Sequence, residues 1–324
     1  MRVGIIGSGT MGLTHLQAWK NLGVEVVMHS QDQAHALHLA QQHGISTILT
    51  LESLFDHVDI VDICTPTETH KDLTLQAARA GKHVICEKPM ALSEQDAQQM
   101  IEACAQHKVR LFIAMVVRFF PQYTAAQKMI QEGRIGQPRV LRLKRVANPP
   151  YGGSAWFANE QRSGGMLVDM MLHDIDYAIW CAGPVSRVYA QCTRAGIRQY
   201  AQAILTHTGG AISHVECGWV YPPGVFRTGL DIAGSEGLIE WSSDQLPTLR
   251  HLQAEENSSK PQVGLPAVAG ADPFLLELQH AHQAIESGTE FRVTSQDALY
   301  ALRVALAARE SSRHHTAINL GRHP

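Results

Sequence analysis

The chain has 324 residues, which is enough for about two domains of roughly 150 residues each. Hydrophobic residues make up 45% of the sequence and charged residues 18%, a globular composition that excludes a disordered or fibrous chain. The formal net charge is −3, from 27 basic and 30 acidic side chains, so the chain has no basic field to attract nucleic acid or an anionic membrane.

Residues 1–118 alternate short strand-like runs with helical stretches. This alternation predicts βαβ units around a parallel sheet, so we expect a doubly wound α/β domain over 1–118. The predicted strands are 3–6, 24–28, 60–64, 83–86 and 111–117, and the predicted helices are 12–22, 34–43, 70–80 and 94–107.

The pattern changes after Arg118. Polar and apolar residues alternate at 140–145, and turn signals at Gly209-Gly210 and Glu236-Gly237 predict hairpins. We expect a second, α+β domain over 119–324 with an open, mainly antiparallel sheet. Its predicted strands are 140–145, 185–192, 201–206, 211–219, 228–233 and 238–241. Its predicted helices are 123–131, 273–287 before Gly288, and 295–311 capped by Ser295, and 254–271 is predicted to be an exposed loop.

The sequence shows no signal for export, a membrane span or a metal. The longest apolar run, 111–117, is far shorter than the about 20 residues of a membrane helix. The first strand begins at Val3, which leaves no room for a signal peptide, so we expect a cytoplasmic protein. The six cysteines occur singly, and the 18 histidines show no metal-ligand spacing, so we expect reduced thiols and no metal.

The segment Gly7-Ser8-Gly9-Thr10-Met11-Gly12 is a G-x-G-x-x-G motif between the first strand and the first helix. Its first glycine permits the turn, its second lets backbone approach a pyrophosphate, and its third allows helix and strand to touch. Strand, helix and second strand lie where dinucleotide binding requires them, so we expect a dinucleotide here; a merely tight turn is the alternative.

The end of the second strand bears on the choice of cofactor. An acid that binds the ribose 2′-hydroxyl is expected about 20 residues after the glycines, where the sequence has His29-Ser30-Gln31-Asp32. With Ser30 there, no carboxylate repels a 2′-phosphate, although no arginine binds one either. The sequence therefore favours NADP over NAD and leaves both open. Asp32 either reaches the ribose or, as we favour, caps the helix that begins near Gln33.

Two polar segments end buried strands at the carboxyl edge of the predicted sheet, where open α/β sheets bind ligands. They are Cys64-Thr65-Pro66-Thr67 and Glu87-Lys88-Pro89. The Lys88 ammonium is placed to hydrogen-bond a substrate hydroxyl and stabilise alkoxide charge. The alternative is a solvated Lys-Glu pair at a strand end. Pro89 restricts Lys88 to extended backbone and allows a cis bond.

A third group of polar residues follows Gly164-Gly165. If 164–176 is one helix, Asp169, His173 and Asp176 form one stripe beside an apolar stripe. A histidine has an ordinary pKa of about 6.5, which suits a general base, and a carboxylate one turn away can orient it. A structural histidine or a metal site built from these three side chains are the alternatives.

Taken together, these segments resemble the Gfo/Idh/MocA family of nicotinamide-dependent oxidoreductases over essentially the whole chain. The motifs are the glycines at 7–12, Thr65-Pro66 with His70, 80–84 leading into Glu87-Lys88-Pro89, Arg118-Phe119 before Pro121, 133–136, Trp156-Phe157, and Gly164-Gly165 with Asp169, His173 and Asp176.

The resemblance implies a Rossmann domain followed by an α/β domain whose open sheet often serves as an oligomer interface, and so a homodimer or homotetramer. It implies that Lys88 touches substrate and nicotinamide and that Asp169 and His173 are the catalytic pair. Candidate substrate-pocket residues are Arg118, Trp156, Phe157 and Arg162, each of which has interface packing or a surface charge as the alternative. The expected dinucleotide-binding residues are Gly7, Ser8, Gly9, Thr10, Met11, Gly12, Ser30, Thr65, Pro66, His70, Glu87 and Lys88.

We therefore expect an enzyme, an NAD(P)-dependent dehydrogenase that transfers a hydride between the dinucleotide and a CH–OH group of a sugar, a polyol or a related small molecule. An inactive dinucleotide-binding sensor of the same fold is the main alternative, and the intact set of Lys88, Asp169 and His173 argues against it. A metal-dependent hydrolase or lyase, and an enzyme that uses hydride transfer only transiently, are further alternatives.

Overall fold

The computed structural model describes residues 1–150, 156–157, 159–244, 250–253, 262–264 and 271–321. The chain divides into two compact units. The first consists of Met1–Phe119 and Ala271–Leu299, and the second of Phe120–Gly270 and Tyr300–Pro324. The segment Ala271–Leu299, although late in the chain, therefore belongs to the first unit, and the division of the sequence at 118/119 stays a prediction.

The first unit is built on a parallel sheet of six strands. The strands are β1 Arg2–Ile6, β2 Glu25–His29, β3 Ser46–Thr47, β4 Ile60–Ile63, β5 His83–Glu87 and β6 Leu111–Ala114. The helices are α1 Thr10–Asn21, α2 Gln33–His43, α3 Leu51–His57, α4 His70–Arg79, α5 Glu94–Gln106 and α10 Pro273–Ser287, with 3-10 turns at Thr67–Thr69 and Val116–Phe119.

The strand order of this sheet is β3-β2-β1-β4-β5-β6, and all its pairings are parallel. The order reverses beside β1, so the carboxyl ends of β1 and β4 border the place where doubly wound sheets bind ligands. The strands consist almost wholly of buried apolar residues such as Ile5, Ile63 and Ile85. Continuous apolar strands are expected where a parallel sheet is covered on both faces.

Within the residues that the structure describes, the second unit is built on a sheet of nine strands. The strands are β7 Pro138–Ala147, β8 Val185–Ala195, β9 Arg198–His207, β10 Ile212–Trp219, β11 Phe226–Gly234, β12 Gly237–Ser242, β13 Arg250–Gln253, β14 Gln262–Gly264 and β15 Ile318–Asn319. The helices are α6 Pro121–Gln131, α7 Glu160–Ser163, α8 Met166–Asp169, α9 Leu172–Ala182 and, from Tyr300 onward, α11 Ser295–His314.

The order of the second sheet is β14-β13-β12-β11-β7-β10-β9-β8-β15, and only β7 with β10 is parallel. Along β9 the side chains alternate: Ala201, Ala203 and Leu205 are buried, whereas Gln202 and Ile204 are exposed. Such alternation is typical of a sheet with one buried face and one open face. The predicted fold class is therefore confirmed.

Several local predictions need correction. The helix that begins at Ser295 is capped by Thr294, not by Ser295, because the Asp297 N–H donates to Thr294 Oγ1 (3.0 Å) and the Thr294 N–H donates to Asp297 Oδ2 (3.1 Å). Within the predicted loop 254–271, β14 forms a strand beside β13, and the predicted loop residues 254–261 and 265–270 lie outside the described residues. The short elements β3, α3 and α7 were not among the predicted strands and helices.

None of the helices in the described part of the chain combines the length and the apolar character that crossing a membrane requires.

Candidate active site

The turn after β1 has the shape that the glycine pattern predicts. A Cβ on Gly7 would lie 2.4 Å from the Cys64 carbonyl oxygen, and one on Gly12 would lie 2.1 Å from the Gly7 carbonyl oxygen. Gly7 also has φ +115°, which favours glycine. The packing of the turn therefore requires both glycines.

Gly9 differs from its neighbours, because a Cβ there would meet no atom within 4 Å. Gly9 is the N-cap of α1, and no side chain caps that helix end. The first backbone N–H groups of α1 therefore lie beside open space, and a helix N-terminus of this kind attracts anions. The turn fits the pyrophosphate of a dinucleotide.

Hydroxyl and imidazole groups cluster at the carboxyl end of β2. Ser8 Oγ and Ser30 Oγ are 2.9 Å apart, and His35 Nδ1 is 3.3 Å from Ser8 Oγ. The Asp32 side chain accepts a hydrogen bond from the His35 N–H (3.0 Å), so Asp32 caps α2, as we favoured. A cavity of about 230 Å³ opens beside this cluster, lined by Met28, Ser30, Gln33, Ala34, Ala36, Leu37, Thr47, Ile48 and Leu49.

His70 joins the loops that follow β4 and β5. Its Nε2 is 2.8 Å from the Thr65 carbonyl oxygen and its Nδ1 is 2.9 Å from the Pro89 carbonyl oxygen. The ring is buried, and burial lowers the pKa of His70. Among the predicted cofactor residues, His70 therefore holds the backbone at Thr65 and at Pro89 in place through its two ring nitrogens.

Lys88 lies one residue past the end of β5. It is partly exposed, whereas Glu87 before it is buried. The Lys88 N–H donates to Glu87 Oε2 (3.0 Å), and the Lys88–Pro89 peptide bond is cis. The side chain of Glu87 is thus turned back onto the backbone of the lysine.

Beneath this turn is a buried polar cluster that the sequence analysis missed. His15 of α1 lies with Nδ1 3.0 Å from both carboxylate oxygens of Asp62 and with Nε2 3.1 Å from Glu87 Oε1. The Trp19 Nε1–H donates to Asp62 Oδ2 (2.7 Å). A charged side chain on the buried side of α1, one turn after Gly12, was the available signal, but its partners lie 47 and 72 residues away in sequence.

The predicted acid–base residues of the second unit lie on a distorted helical segment. Gly164 and Gly165 have φ +82° and +77°, and α8 begins directly after them. Asp169 ends α8, while His173 lies in the first turn of α9. Asp169 is buried and His173 is half-buried.

The expectation of one regular helix over 164–176 is wrong. The Met171 N–H donates to the Met166 carbonyl oxygen (3.1 Å) across five residues, a wider turn than that of an α-helix. The second half of the segment is bound to the sheet, because Asp174 pairs with Arg145 of β7, whereas Met166 in the first half lies 4.0 Å from Cys217 Sγ of β10. Asp169, His173 and Asp176 therefore do not follow one regular helical stripe.

The metal alternative at these residues finds no geometric basis. Within the described residues, the ligand atoms of three side chains converge only at His15, Asp62 and Cys64. Those three are all buried and already contact one another by hydrogen bonds.

The predicted substrate-pocket residues lie in both units. Arg118 is buried in the first unit, where Nη1 donates to the Arg292 carbonyl oxygen (3.1 Å) and lies 3.3 Å from Asp297 Oδ2. In the second unit Trp156 and Phe157 stack with their rings 3.9 Å apart, and Arg162 is half-buried in α7. Both of these contacts of Arg118 lie within the first unit, and the substrate role of all four residues stays a prediction.

Comparison with known proteins identifies the family. Residues 1–115 match the model of an oxidoreductase family with an NAD-binding Rossmann fold, and residues 123–240 match the GFO/IDH/MocA C-terminal domain. The chain belongs to the Gfo/Idh/MocA oxidoreductase family. The predicted family and the oxidoreductase class are thereby confirmed.

Similar members of this family include two named dehydrogenases. A myo-inositol 2-dehydrogenase of Thermotoga maritima is 26% identical over 336 residues, which covers 99% of this chain and 98% of that protein. A D-apiose dehydrogenase of Paraburkholderia graminis is 30% identical over 257 residues, which covers 74% of this chain and 67% of that protein. The solved structure of a levoglucosan dehydrogenase in complex with NADH has the same fold, with a TM-score of 0.90, 22% identity and 99% of each chain covered.

Proposed function

We propose that this Gfo/Idh/MocA protein is a cytoplasmic dehydrogenase that oxidises a CH–OH group of a sugar, a polyol or a related hydroxylated small molecule, or reduces the matching ketone. The central observation is that a dinucleotide-binding turn occurs in one chain with a lysine at the end of β5 and a half-buried histidine near a buried aspartate. The inositol and apiose dehydrogenases among its relatives support this substrate class.

The residues that would hold the dinucleotide all lie at the carboxyl ends of β1, β2, β4 and β5. The N–H groups at the start of α1 bind the pyrophosphate, and Ser8 and Ser30 face the ribose. Thr65, Pro66 and His70 form the next loop, beside Glu87 and Lys88. When bound, the nicotinamide ring supplies the hydride acceptor for oxidation and the hydride donor for reduction.

The three proposed catalytic residues have different roles in proton transfer and charge stabilisation. His173 accepts the proton of the substrate hydroxyl, so that the oxygen can form a carbonyl as the carbon loses its hydride. Asp169 stabilises the imidazolium that results, and the Lys88 ammonium hydrogen-bonds the substrate oxygen and stabilises its developing negative charge. Reduction reverses these steps, with His173 returning the proton. The inactive sensor has no need of these three groups.

The substitution His173→Asn tests the assignment. We expect kcat to fall by about 10² to 10⁴-fold, because a general base is lost. The affinity for dinucleotide, measured by the fluorescence of the reduced cofactor, should stay nearly unchanged, since His173 lies in the other unit from the glycine turn. A panel of sugars, inositols and hydroxy acids, followed by nicotinamide absorbance, identifies the substrate first. If dinucleotide affinity falls as much as kcat, or if neither falls, His173 is not the general base.

We propose NADP as the preferred cofactor, with NAD also bound. Ser8, Ser30 and His35 bring three hydrogen-bonding groups to the end of β2, and none of them carries a negative charge. An acid at position 30 would accept a hydrogen bond from a ribose 2′-hydroxyl and repel a 2′-phosphate.

The substitution Ser30→Asp therefore should lower the ratio of kcat/KM for NADP to kcat/KM for NAD by about tenfold or more, which corresponds to a charge repulsion of about 1.4 kcal/mol. The control Ser287→Asp adds the same charge at the exposed end of α10 and should leave the ratio unchanged. A wild-type enzyme that strongly prefers NAD, with a ratio that does not respond to Ser30→Asp, contradicts the proposal.

We also propose that the protein forms a homodimer or homotetramer through the open face of the second sheet. This face has exposed apolar side chains, including Ile204 and Ile212, which water contacts in a single chain. A shallow depression of about 520 Å³ lies on the same face. Exposed apolar patches of this kind mark protein interfaces.

A further inference from the structure

The buried cluster beneath Lys88 joins three separate elements of the first unit. His15 comes from α1, Asp62 from β4 and Glu87 from the last position of β5. His15 and Asp62 have no exposed surface, and Glu87 is 6% exposed. Direct contacts run from Asp62 through the imidazole to Glu87, and from Glu87 Oε2 to the Lys88 N–H.

We propose that His15 is a positioning residue for Lys88: the Asp62–His15–Glu87 chain of hydrogen bonds fixes the Glu87 side chain and, through it, the backbone from which Lys88 reaches the substrate. The proposal rests on the proposed function, in which Lys88 holds the substrate oxygen. His15 itself touches neither substrate nor cofactor in this proposal.

The chemistry of the contacts defines the charge of the ring. Both imidazole nitrogens lie within hydrogen-bond distance of carboxyl oxygens, and because ionised carboxylates only accept hydrogen bonds, we assign both nitrogens as donors and the ring as an imidazolium. Burial alone would lower the pKa of His15, but the neighbouring Asp62 carboxylate raises it, with a net rise well above the ordinary value. A doubly donating ring holds both carboxylates in fixed positions.

The two oxygens of Glu87 have different partners. Oε1 accepts from His15 Nε2 (3.1 Å), and Oε2 accepts from the Lys88 N–H (3.0 Å). Rotation of the carboxylate would break both bonds at once, so His15 and the Lys88 backbone are coupled through one rigid group. Because His15 is on α1, the helix that begins at the pyrophosphate-binding turn, the same contacts connect that turn to Lys88.

The residues of this cluster are poorly suited to bind a metal ion. The Cys64 thiol points at Asp62 Oδ1 (3.5 Å), and burial raises the pKa of this thiol far above its usual range, so it keeps its proton. Metal ions bind thiolates rather than thiols. The positions of His15 and Asp62 are those of a hydrogen-bonded pair.

Two substitutions of His15 test its hydrogen bonds to Asp62 and to Glu87 separately. An asparagine side chain can donate near the position of Nδ1, so His15→Asn retains a donor to Asp62 and loses the one to Glu87. A glutamine can donate near the position of Nε2, so His15→Gln retains the donor to Glu87 and loses the one to Asp62. Both variants remove the same charge, and each is therefore the control of the other.

We expect His15→Asn to lower kcat by about tenfold or more and His15→Gln to lower it much less, because small displacements of a substrate-positioning group cost this much in rate. Dinucleotide affinity should remain within about threefold in both. A larger deuterium isotope effect on kcat in His15→Asn should show that hydride transfer itself is slowed. A purely structural role would instead lower the melting temperature of both variants and leave kcat per folded molecule unchanged, and that result overturns the proposal.

Glu87→Gln provides the test if His15→Asn does not fold. An amide has one accepting oxygen for two donors, so one of the bonds to His15 and the Lys88 N–H must be lost, and we expect a comparable fall in kcat. A wild-type kcat in Glu87→Gln overturns the proposed positioning of Lys88 by His15 through Glu87. Lys88→Ala distinguishes the two proposals. If it leaves turnover unchanged, the proposed role of Lys88 in catalysis is wrong. If it lowers turnover strongly while the His15 and Glu87 variants turn over normally, only the positioning role of His15 is wrong.

Discussion

Glu277 of α10 brings a third carboxyl group to the cluster around His15. It has no exposed surface, and neither of its oxygens has a hydrogen-bond partner among the described residues. Burial and the nearby carboxylates of Glu87 and Asp62 raise its pKa well above the ordinary value, although the charge of His15 opposes them. Glu277 is therefore protonated more readily in the folded protein than in the unfolded chain.

This raised pKa predicts a pH-dependent effect of Glu277→Gln on stability. The folded pKa exceeds the unfolded value, so the contribution of Glu277 to stability is complete below the unfolded pKa of about 4.3 and is lost as the pH rises towards the folded pKa. Glutamine does not titrate. The variant should therefore gain stability over the wild type as the pH rises above the unfolded pKa towards the folded pKa, by at most about 1.4 kcal/mol per pH unit.

Urea unfolding of both proteins at several pH values measures this difference. The control Glu290→Gln removes an exposed carboxylate just beyond the end of the same helix and should show a nearly constant difference with pH. A stability difference for Glu277→Gln that falls or stays flat as the pH rises would show that Glu277 is ionised in the folded protein.

The residues that could be predicted from sequence are those with a fixed local role. The spacing of Gly7, Gly9 and Gly12 predicted a different role for each glycine in the turn. In the structure, Gly7 and Gly12 leave no room for a Cβ, whereas Gly9 borders open space. His15 and Glu277 could not be predicted in this way, because the groups that face them come from strands and helices far away in the chain.

At the scale of elements, the segment from Gly164 to Ala182 shows where local pattern is insufficient. Its residues favour one helix, since Met170 and Met171 are good helix formers. The structure has α8 and α9 instead, and a tertiary contact, the Arg145–Asp174 ion pair, fixes α9 to β7. The residue types of the acid–base pair were visible in the sequence, but their arrangement was not.

A buried ion pair fixes α9 to the second sheet. Arg145 of β7 donates from Nε to Asp174 Oδ2 (2.8 Å) and from Nη2 to Asp174 Oδ1 (3.2 Å), and both side chains are almost completely buried. Removing one partner leaves the other charge buried without compensation, which is strongly destabilising. Asp174 adjoins His173, so this pair also holds the proposed general base in place.

We therefore expect Asp174→Asn to lower the free energy of unfolding by about 3 to 5 kcal/mol. The same strand offers a matched control, since Arg142 pairs with Asp231 (2.9 Å) with 56% and 39% of the two side chains exposed. Asp231→Asn should cost no more than about 1 kcal/mol. Urea unfolding of the two variants checks the contrast, and equal losses would mean that burial of the Arg145–Asp174 pair adds nothing to its strength.

At the scale of the whole molecule, the two sheets differ in how far sequence determines them. The order β3-β2-β1-β4-β5-β6 follows from the glycine motif and the βαβ alternation, because a doubly wound sheet has few allowed orders. In the second sheet, β7 lies between β11 and β10, and Leu143 faces Leu230 on one side and Val215 on the other. Pairings over such sequence separations leave no local signal, so only the sheet's antiparallel character was predictable.

The open face of the second sheet combines apolar and paired charged side chains. Ile204 of β9 is 41% exposed and lies opposite His214, which in turn lies opposite Arg142. Arg142 and Lys144 are neutralised within the same face by Asp231 and Glu216. A face without strong net charge and with exposed apolar groups can pack against its own copy about a twofold axis, where each residue of the interface acts twice.

Ile204→Glu tests this assembly, because a twofold interface would then bury two new carboxylates without a positively charged partner for either. We expect the wild type to sediment at two or four times the chain mass of 35.6 kDa and the variant to shift towards that single mass. Ala105→Glu, which adds the same charge at an exposed position of α5, should leave the assembly intact. A wild type that sediments as one chain, or a variant that assembles as the wild type does, would exclude this face as the interface, since a buried uncompensated carboxylate pair cannot be neutral in energy.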